Sequence, residues 1–438
     1  MSARVLVLGS GFVGTYVGLR LERKARRGEV DVTLVSPDSF MTYHPFLPEA
    51  ASGNIEPRHV VVPLRSALRK TRIVTGRVEA LDHERRLATV VTTAAEKREL
   101  GYDHVVIGVG SVSRTLPVPG LAERGIGFKT IEEAIALRNR LLANMDAADA
   151  SSDETFRRRA LTFVFVGGGY SGVEALAELE DLATWATRYY PNVKRADMRW
   201  VLVEATGTVL PEIGRDLAGH ALEVLQRRGI EVHLNTELVS AEDGVMELSD
   251  GTSFEADTLV WTAGVRPNPV VARLGMPLDE RERVVTDAAL RVAGVPGAWA
   301  AGDCAAVPDL TGSPGATTPP TAQHSLRQAV VLADNLLATL RGDTVKDFRY
   351  RSLGGIVSLG RHRGVARVPG VNLRGLPAWF LHRTYHLLRI PTLGRKARVL
   401  ADWTVALFFK RDLVQLGGLQ RPREPFERAL GDTPTERA

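Results

Sequence analysis

The sequence predicts an α/β fold in which two strand–turn–helix–strand units are nested, followed by an amphipathic helical C-terminal module. Three observations predict it. A glycine turn follows a short apolar run at Gly9 and again at Gly167, 158 residues later. Segments rich in proline and glycine flank the second of these units. Basic charge collects near the end of the chain, where eleven Lys and Arg face one acid, Asp402, between Arg361 and Arg411, although the whole chain carries only +5.

Arg4-Val-Leu-Val-Leu8 is a leucine and β-branched run of the kind that forms a buried parallel strand. It enters Gly9-Ser-Gly-Phe-Val-Gly14, a helical stretch to about Arg27 and a second strand at Val30 to Val35. The unit recurs as Leu161 to Val166, Gly167-Gly-Gly-Tyr-Ser-Gly172, a helix from Val173 to about Tyr189, and a strand at Arg199 to Val203. Between the units, Arg114-Thr-Leu-Pro-Val-Pro-Gly120 reads as a crossing between domains, and Val265-Arg-Pro-Asn-Pro269 as the return. The predicted organisation is therefore a discontinuous first domain (1–115 and 270–345), an inserted second domain (116–269) and a C-terminal module (346–438). Both domains are Rossmann-like dinucleotide-binding units.

A glycine turn between strand and helix presents backbone N–H groups and the positive end of the helix dipole to a pyrophosphate. Its glycines permit the tight turn, close backbone approach and close helix packing, which singles out Gly9, Gly11 and Gly14, then Gly167, Gly169 and Gly172. Two such sites suggest two nucleotides, one a tightly held flavin and one a diffusible nicotinamide. Glu204 ends the second strand of the second unit, where a carboxylate bonds a ribose 2′-hydroxyl and repels a 2′-phosphate, favouring NADH over NADPH. The first unit has Ser36 there, with Asp38 nearby. Tyr102 to Ser111 reads as a strand ending in small residues around Gly110, as backbone passing against a cofactor requires. Trp299-Ala-Ala-Gly-Asp-Cys-Ala305 is a strand followed by an acid, Asp303.

Composition narrows the class. At 438 residues, 44% apolar and 24% charged, the chain has ordinary globular values, which exclude a disordered or collagen-like protein. A single cysteine, Cys304, excludes an intramolecular disulfide, a CxxC pair and an all-cysteine metal site. The N-terminus has no secretory signal pattern, and no run approaches the length of a membrane-spanning helix. The expectation is a cytoplasmic protein.

Together these segments resemble a flavoprotein with two dinucleotide-binding domains, in which Ala301-Gly-Asp303 matches the motif whose aspartate binds the flavin ribityl chain. Cys304 alone does not suffice for the redox cysteines of disulfide reductases or sulfide:quinone oxidoreductases. The remaining resemblance, over most of the chain, is to the type II (non-proton-pumping) NADH:quinone dehydrogenases. Gly167-Gly-Gly-Tyr-Ser-Gly-Val-Glu174 is similar to their nucleotide motif, with Glu174 in the position of a glutamate near the nicotinamide. Val203 to Pro211 and Trp261-Thr-Ala-Gly-Val265, with Gly264, resemble further family segments. Thr321-Ala-Gln-His-Ser-Leu-Arg-Gln328 fits an Ala-Gln-x4-Gln signature at the quinone site, implicating Ala322, Gln323 and Gln328. The resemblance implies FAD-dependent oxidation of NADH and transfer of two electrons to a membrane quinone, with Gln323 bonding the quinone carbonyl and Glu174 positioning the nicotinamide or relaying a proton. Two departures bear on the acceptor. Pro48 replaces a tyrosine in Pro45-Phe-Leu-Pro48, and Gly108-Val-Gly110 replaces Ala-Thr-Gly.

On a helical wheel, Phe380, Leu381, Thr384, Tyr385, Leu387 and Leu388 fall on one side and His382, Arg383, His386 and Arg389 on the other, with Trp379 among them. A second stripe joins Val399, Leu400, Trp403, Ala406 and Leu407. Amphipathic helices rich in Arg and aromatics suit the plane of an anionic bilayer, which places the protein peripherally on the cytoplasmic face of the cell membrane. A homodimer interface or packing against the core is the alternative use of the stripes. No nucleic-acid motif accompanies the charge, and the two histidines have no carboxylate or cysteine in sequence to complete a metal site. Two rival functions are a soluble NADH-dependent flavin reductase with another acceptor and an NADH-sensing flavoprotein.

Overall fold

The computed structural model describes residues 2–352, 354–415 and 423. The last part of the C-terminal module, residues 416–438 apart from 423, lies outside the described residues, as does Leu353.

Alternating strands and helices build two sheets. The first has seven strands in the order Ala298–Ala300, His104–Ile107, Ala3–Leu8, Val30–Ser36, Arg72–Asp82, Leu87–Thr92 and Lys97–Gly101. The first five run parallel, and the last two continue the sheet as an antiparallel meander, each opposed to its neighbour. The second sheet is wholly parallel, in the order Gly125–Gly127, Thr258–Trp261, Thr162–Val166, Arg199–Glu204 and Ile230–Leu234. The Thr162–Val166 strand is buried at every residue, which is why it reads as an unbroken apolar run instead of an alternating one. A two-stranded antiparallel ribbon, Ser111–Ser113 against Val265–Pro267, joins the chain's exit from the first sheet to its return from the second.

Five helices position the site. Helix α1 (Phe12–Lys24) buries Phe12, Val13, Val17 and Leu21 along one face. Helix α2 (Tyr170–Ala186) starts three residues earlier than its sequence suggested, directly on the glycine turn, and ends in a 3-10 turn over Thr187–Tyr189. Helix α3 (Ala322–Arg341) is capped by Thr321 and stops at Gly342. It packs on α1, where Arg20 makes a two-pronged ion pair with Asp334. After a three-stranded antiparallel sheet come α4 (Leu376–Arg389) and α5 (Leu393–Phe408).

Helix α4 turns its polar face inward. His382 is 2% exposed, whereas Phe380 and Leu388 are each 65% exposed. Trp379, out of place on the wheel, lies on the same inward side with its ring 4.1 Å from the Arg383 guanidinium. The expected α5 stripe splits: Val399 is buried and Trp403 reaches inward, while Leu400 and Leu407 face out. Among the described residues, no helix is long and apolar enough to cross a membrane.

Candidate functional site

Both glycine turns are built alike. Gly9 and Gly167 have φ of +95° and +113°, a left-handed conformation that side chains resist, and each lies against backbone, of Gly108 and of Thr262 respectively. A side chain at Gly14 or Gly172 would collide with the carbonyl of Gly9 or Gly167, so these glycines let α1 and α2 start tightly against the turn. Gly11 and Gly169 differ: no atom lies within 4 Å of where their Cβ would stand. No side chain caps α1 or α2, which leaves the first-turn N–H groups open to an anion. The residues at each turn thus fit a dinucleotide.

The acids around the turns are held in place. Glu204 accepts the amide hydrogens of Gly168 at 2.5 Å and Thr206 at 2.7 Å, so it sits on the second turn. Gly264, with φ +88°, is likewise open beyond its Cα. At the first turn Ser36 is buried, its hydroxyl 2.7 Å from that of Ser10. Asp303 accepts from Ser111 at 2.6 Å and Ser325 at 3.3 Å. Lys129 donates to Ser111 at 2.5 Å, and burial pulls its ammonium below the usual lysine range. Gly110, φ +68°, is open space beside this group. Nearby His44 is held neutral: burial, with help from the Lys129 charge, pushes its imidazole down to about 4. No sequence motif points to Lys129 or His44. The Lys129 ammonium bonds Ser111, 18 residues earlier, and His44 lies further still along the chain, so only the fold joins them.

Ala322 opens α3, and the two glutamines beyond it part company. Gln323 faces the segment before the C-terminal sheet, accepting from the Tyr350 hydroxyl at 2.9 Å and donating to the Gly354 carbonyl at 3.2 Å. Gln328 is 1% exposed and fully engaged, accepting from the Gly302 amide at 2.7 Å and donating to Thr318 at 2.9 Å. It therefore props the loop that carries Asp303 and does not line an opening.

Glu174 is 7% exposed and lies under the C-terminal module. It accepts the Ser358 amide at 2.9 Å, and His382 Nε2 stands 3.2 Å from its carboxylate. One turn further along α2, Glu178 accepts from Asn54 and Ser358, each at 2.9 Å, and from Ser52 at 3.2 Å. A third buried acid, Glu49, is bound by Arg383 at 2.7 Å and by the Trp403 indole at 2.8 Å. So α2, the 43–54 segment and both C-terminal helices meet in one buried polar cluster. Pro48, buried, immediately precedes Glu49 in that segment. It occupies the first turn of a short helix, Leu47–Ala51, where proline is tolerated because the missing N–H has no partner to lose. Cys304 is buried, and burial pushes its thiol up to about 11, so it stays protonated and unreactive. Among the described residues no group of His, Cys, Asp and Glu is arranged to hold a metal ion.

The model of the pyridine nucleotide-disulphide oxidoreductases matches residues 3–329. A type II NADH:quinone oxidoreductase of Mycobacterium tuberculosis is 30% identical over 427 residues, covering 93% of this chain and 89% of that one. The chain belongs to this family. A probable NADH dehydrogenase of Dictyostelium discoideum is 29% identical over 420 residues, covering 94% and 90% of the two chains. Among solved structures, NDH2 from Plasmodium falciparum in complex with NADH superposes with a TM-score of 0.87 at 18% identity, covering 94% of this chain and all of that one.

Proposed function

We propose that this enzyme, a type II NADH dehydrogenase, oxidises NADH and reduces a membrane quinone without pumping protons, with FAD at the first glycine turn and NADH at the second. The observation that carries the reading is two open glycine turns in a chain whose single cysteine is buried and protonated. Such a chain can hold two dinucleotides but has no internal disulfide to receive electrons, so they must leave to an external acceptor. Bound FAD would supply the two-electron chemistry that links a nicotinamide to a quinone.

The protein binds and orients. The turn of Gly9, Gly11 and Gly14 holds the FAD pyrophosphate, Asp303 the ribityl chain and Ser36 the adenosine ribose, with Gly110 giving way to the cofactor. Lys129, linked to Asp303 through Ser111, adds positive charge there. The turn of Gly167, Gly169 and Gly172 holds the NADH pyrophosphate, Glu204 the ribose 2′-hydroxyl, and Gly264 leaves room for the nicotinamide end. Gln323, beside Ala322, orients the quinone, while Gln328 acts through Gly302 and not on the quinone itself.

The exposed apolar faces of α4 and α5 support docking on an anionic bilayer, at the cytoplasmic face. Leu393, Leu400, Leu407 and Phe408 are all more than half exposed, on a helix that also carries Arg395, Lys396 and Arg398. Covering these faces by a second copy is the competing use.

Steady-state assay with a short-chain quinone tests the reading. One quinol formed per NADH consumed, without oxygen, supports it. NADH oxidation that needs oxygen and leaves the quinone unreduced contradicts it.

A further inference from the structure

The two histidines of α4, four residues apart, stand on one face of the helix and form neither a surface patch nor a metal site. His382 is buried, and His386 is partly exposed. Their rings meet edge to face with centroids 4.6 Å apart. His382 Nε2 stands at ion-pair distance, 3.2 Å, from the Glu174 carboxylate, and both of its ring nitrogens are buried without an aligned hydrogen-bond partner. His386 Nδ1 lies 3.4 Å from the hydroxyl of the buried Tyr43. Three titratable groups thus stand in sequence, His386 and His382 ring to ring and His382 at 3.2 Å from the acid on the nucleotide helix.

The proposed reaction leaves a proton to be found. NADH gives up a hydride, which is two electrons and one proton, whereas a quinone takes two electrons and two protons to become a quinol. One proton per turnover must come from water. We propose that His386 and His382 relay that proton inward to Glu174, from which it reaches the quinone site. The proposal rests on the quinone reading above and adds the route of proton entry to it.

The surroundings favour inward transfer. Burial opposes charge on His382, but Glu174, Glu49 and Glu178 together lift it above the ordinary histidine value. Burial, with the charge of His382 added, holds His386 well below that value. A proton arriving on His386 therefore falls to lower energy on His382. The other groups around the pair are already engaged. Arg383 is paired with Glu49, and Trp379 and Trp403 stack on that guanidinium. Glu178 is bonded by Ser52, Asn54 and Ser358, and Asp181 faces Arg228 and Arg363. The Tyr16 hydroxyl donates to the Arg389 carbonyl, Tyr385 stacks edge-on to His386, and Arg389 lies over Tyr385. Arg411 approaches from the end of the described chain, its own charge disfavoured by burial. Glu174 is left as the acid nearest His382 that no arginine neutralises.

The test compares two acceptors on the FAD-loaded enzyme, a short-chain quinone and ferricyanide, which takes electrons without protons. His386→Asn and His382→Asn are expected to lower quinone turnover by about a hundredfold, the scale of a lost proton-transfer group. NADH-dependent bleaching of the yellow chromophore and the ferricyanide rate stay within twofold, and added imidazole restores part of the quinone rate. Equal loss with both acceptors, or full quinone turnover in either variant, would overturn the relay. The unmutated enzyme gives a second reading that needs no variant: its quinone rate falls as pH rises from 6 to 9 while its ferricyanide rate stays flat. A quinone rate flat over that range also overturns the proposal. An unmutated enzyme that reduces ferricyanide but no quinone refutes the function reading instead, which separates the two failures.

Discussion

Glu204 closes on Gly168: the acid that ends the Arg199–Glu204 strand accepts, at 2.5 Å, the amide hydrogen of the glycine turn that ends its neighbour. The carboxylate is thereby fixed on the second glycine turn, where the proposed function puts the adenosine ribose of NADH. A 2′-phosphate there would meet a fixed negative charge. Glu204→Gln keeps an acceptor for the Gly168 amide but removes the charge, so the preference for NADH over NADPH in kcat/KM should fall at least tenfold, about 1.4 kcal/mol. The loss should lie mainly in KM. An unchanged ratio would show that Glu204 does not face the nucleotide.

Gly11 and Gly14 should fail differently. Gly11→Ala meets no protein atom within 4 Å, so the protein should fold with its melting temperature within a few degrees of the apoprotein's and yet purify without flavin. Gly14→Ala drives a methyl into the Gly9 carbonyl and should destabilise the first domain itself. Absorbance at 450 nm and thermal melting of the two variants separate the outcomes.

Gln323 and Gln328 make a similar pair. Gln328→Ala leaves the buried Gly302 amide and Thr318 hydroxyl without partners, a cost of about 1–3 kcal/mol for each such group. It should loosen flavin retention and lower the melting temperature. Gln323→Ala removes a half-buried side chain and should raise the KM for quinone severalfold with flavin content unchanged. Flavin release on dilution and quinone titration distinguish them, and a Gln323 variant that loses flavin would contradict its placement.

For the membrane, Phe380→Asp with Leu388→Asp introduces charge on the outward face of α4 while leaving the inward His382 face alone. Flotation with anionic vesicles should drop sharply, with ferricyanide reduction intact. Unchanged flotation together with a shift from dimer to monomer would assign the face to a second copy.

The glycine turns, the parallel strands and Asp303 were legible because they rest on local rules: glycine at fixed spacing, apolar runs, an acid after a strand. The start of α2 at Tyr170 was not, since the helix grows straight out of the turn. The wheel for α4 separated two faces correctly but could not say which one meets the protein. That depends on Glu174 and Glu49, 208 and 334 residues before their partners His382 and Arg383. Lys129 and Glu178 were silent for the same reason. Gln328 carried a family signal, and its position five residues after Gln323 turned it from the opening into the core.

On the proposed function, electrons pass from NADH through bound flavin to a quinone, and anaerobic rapid mixing follows both transfers. Stoichiometric NADH should bleach the flavin at 450 nm, and a short-chain quinone added next should restore the oxidised spectrum at a rate no slower than turnover. Bleaching that no quinone reverses would contradict the proposed function and direct attention to Pro48 and Val109, where the sequence differs from the family segments it resembles.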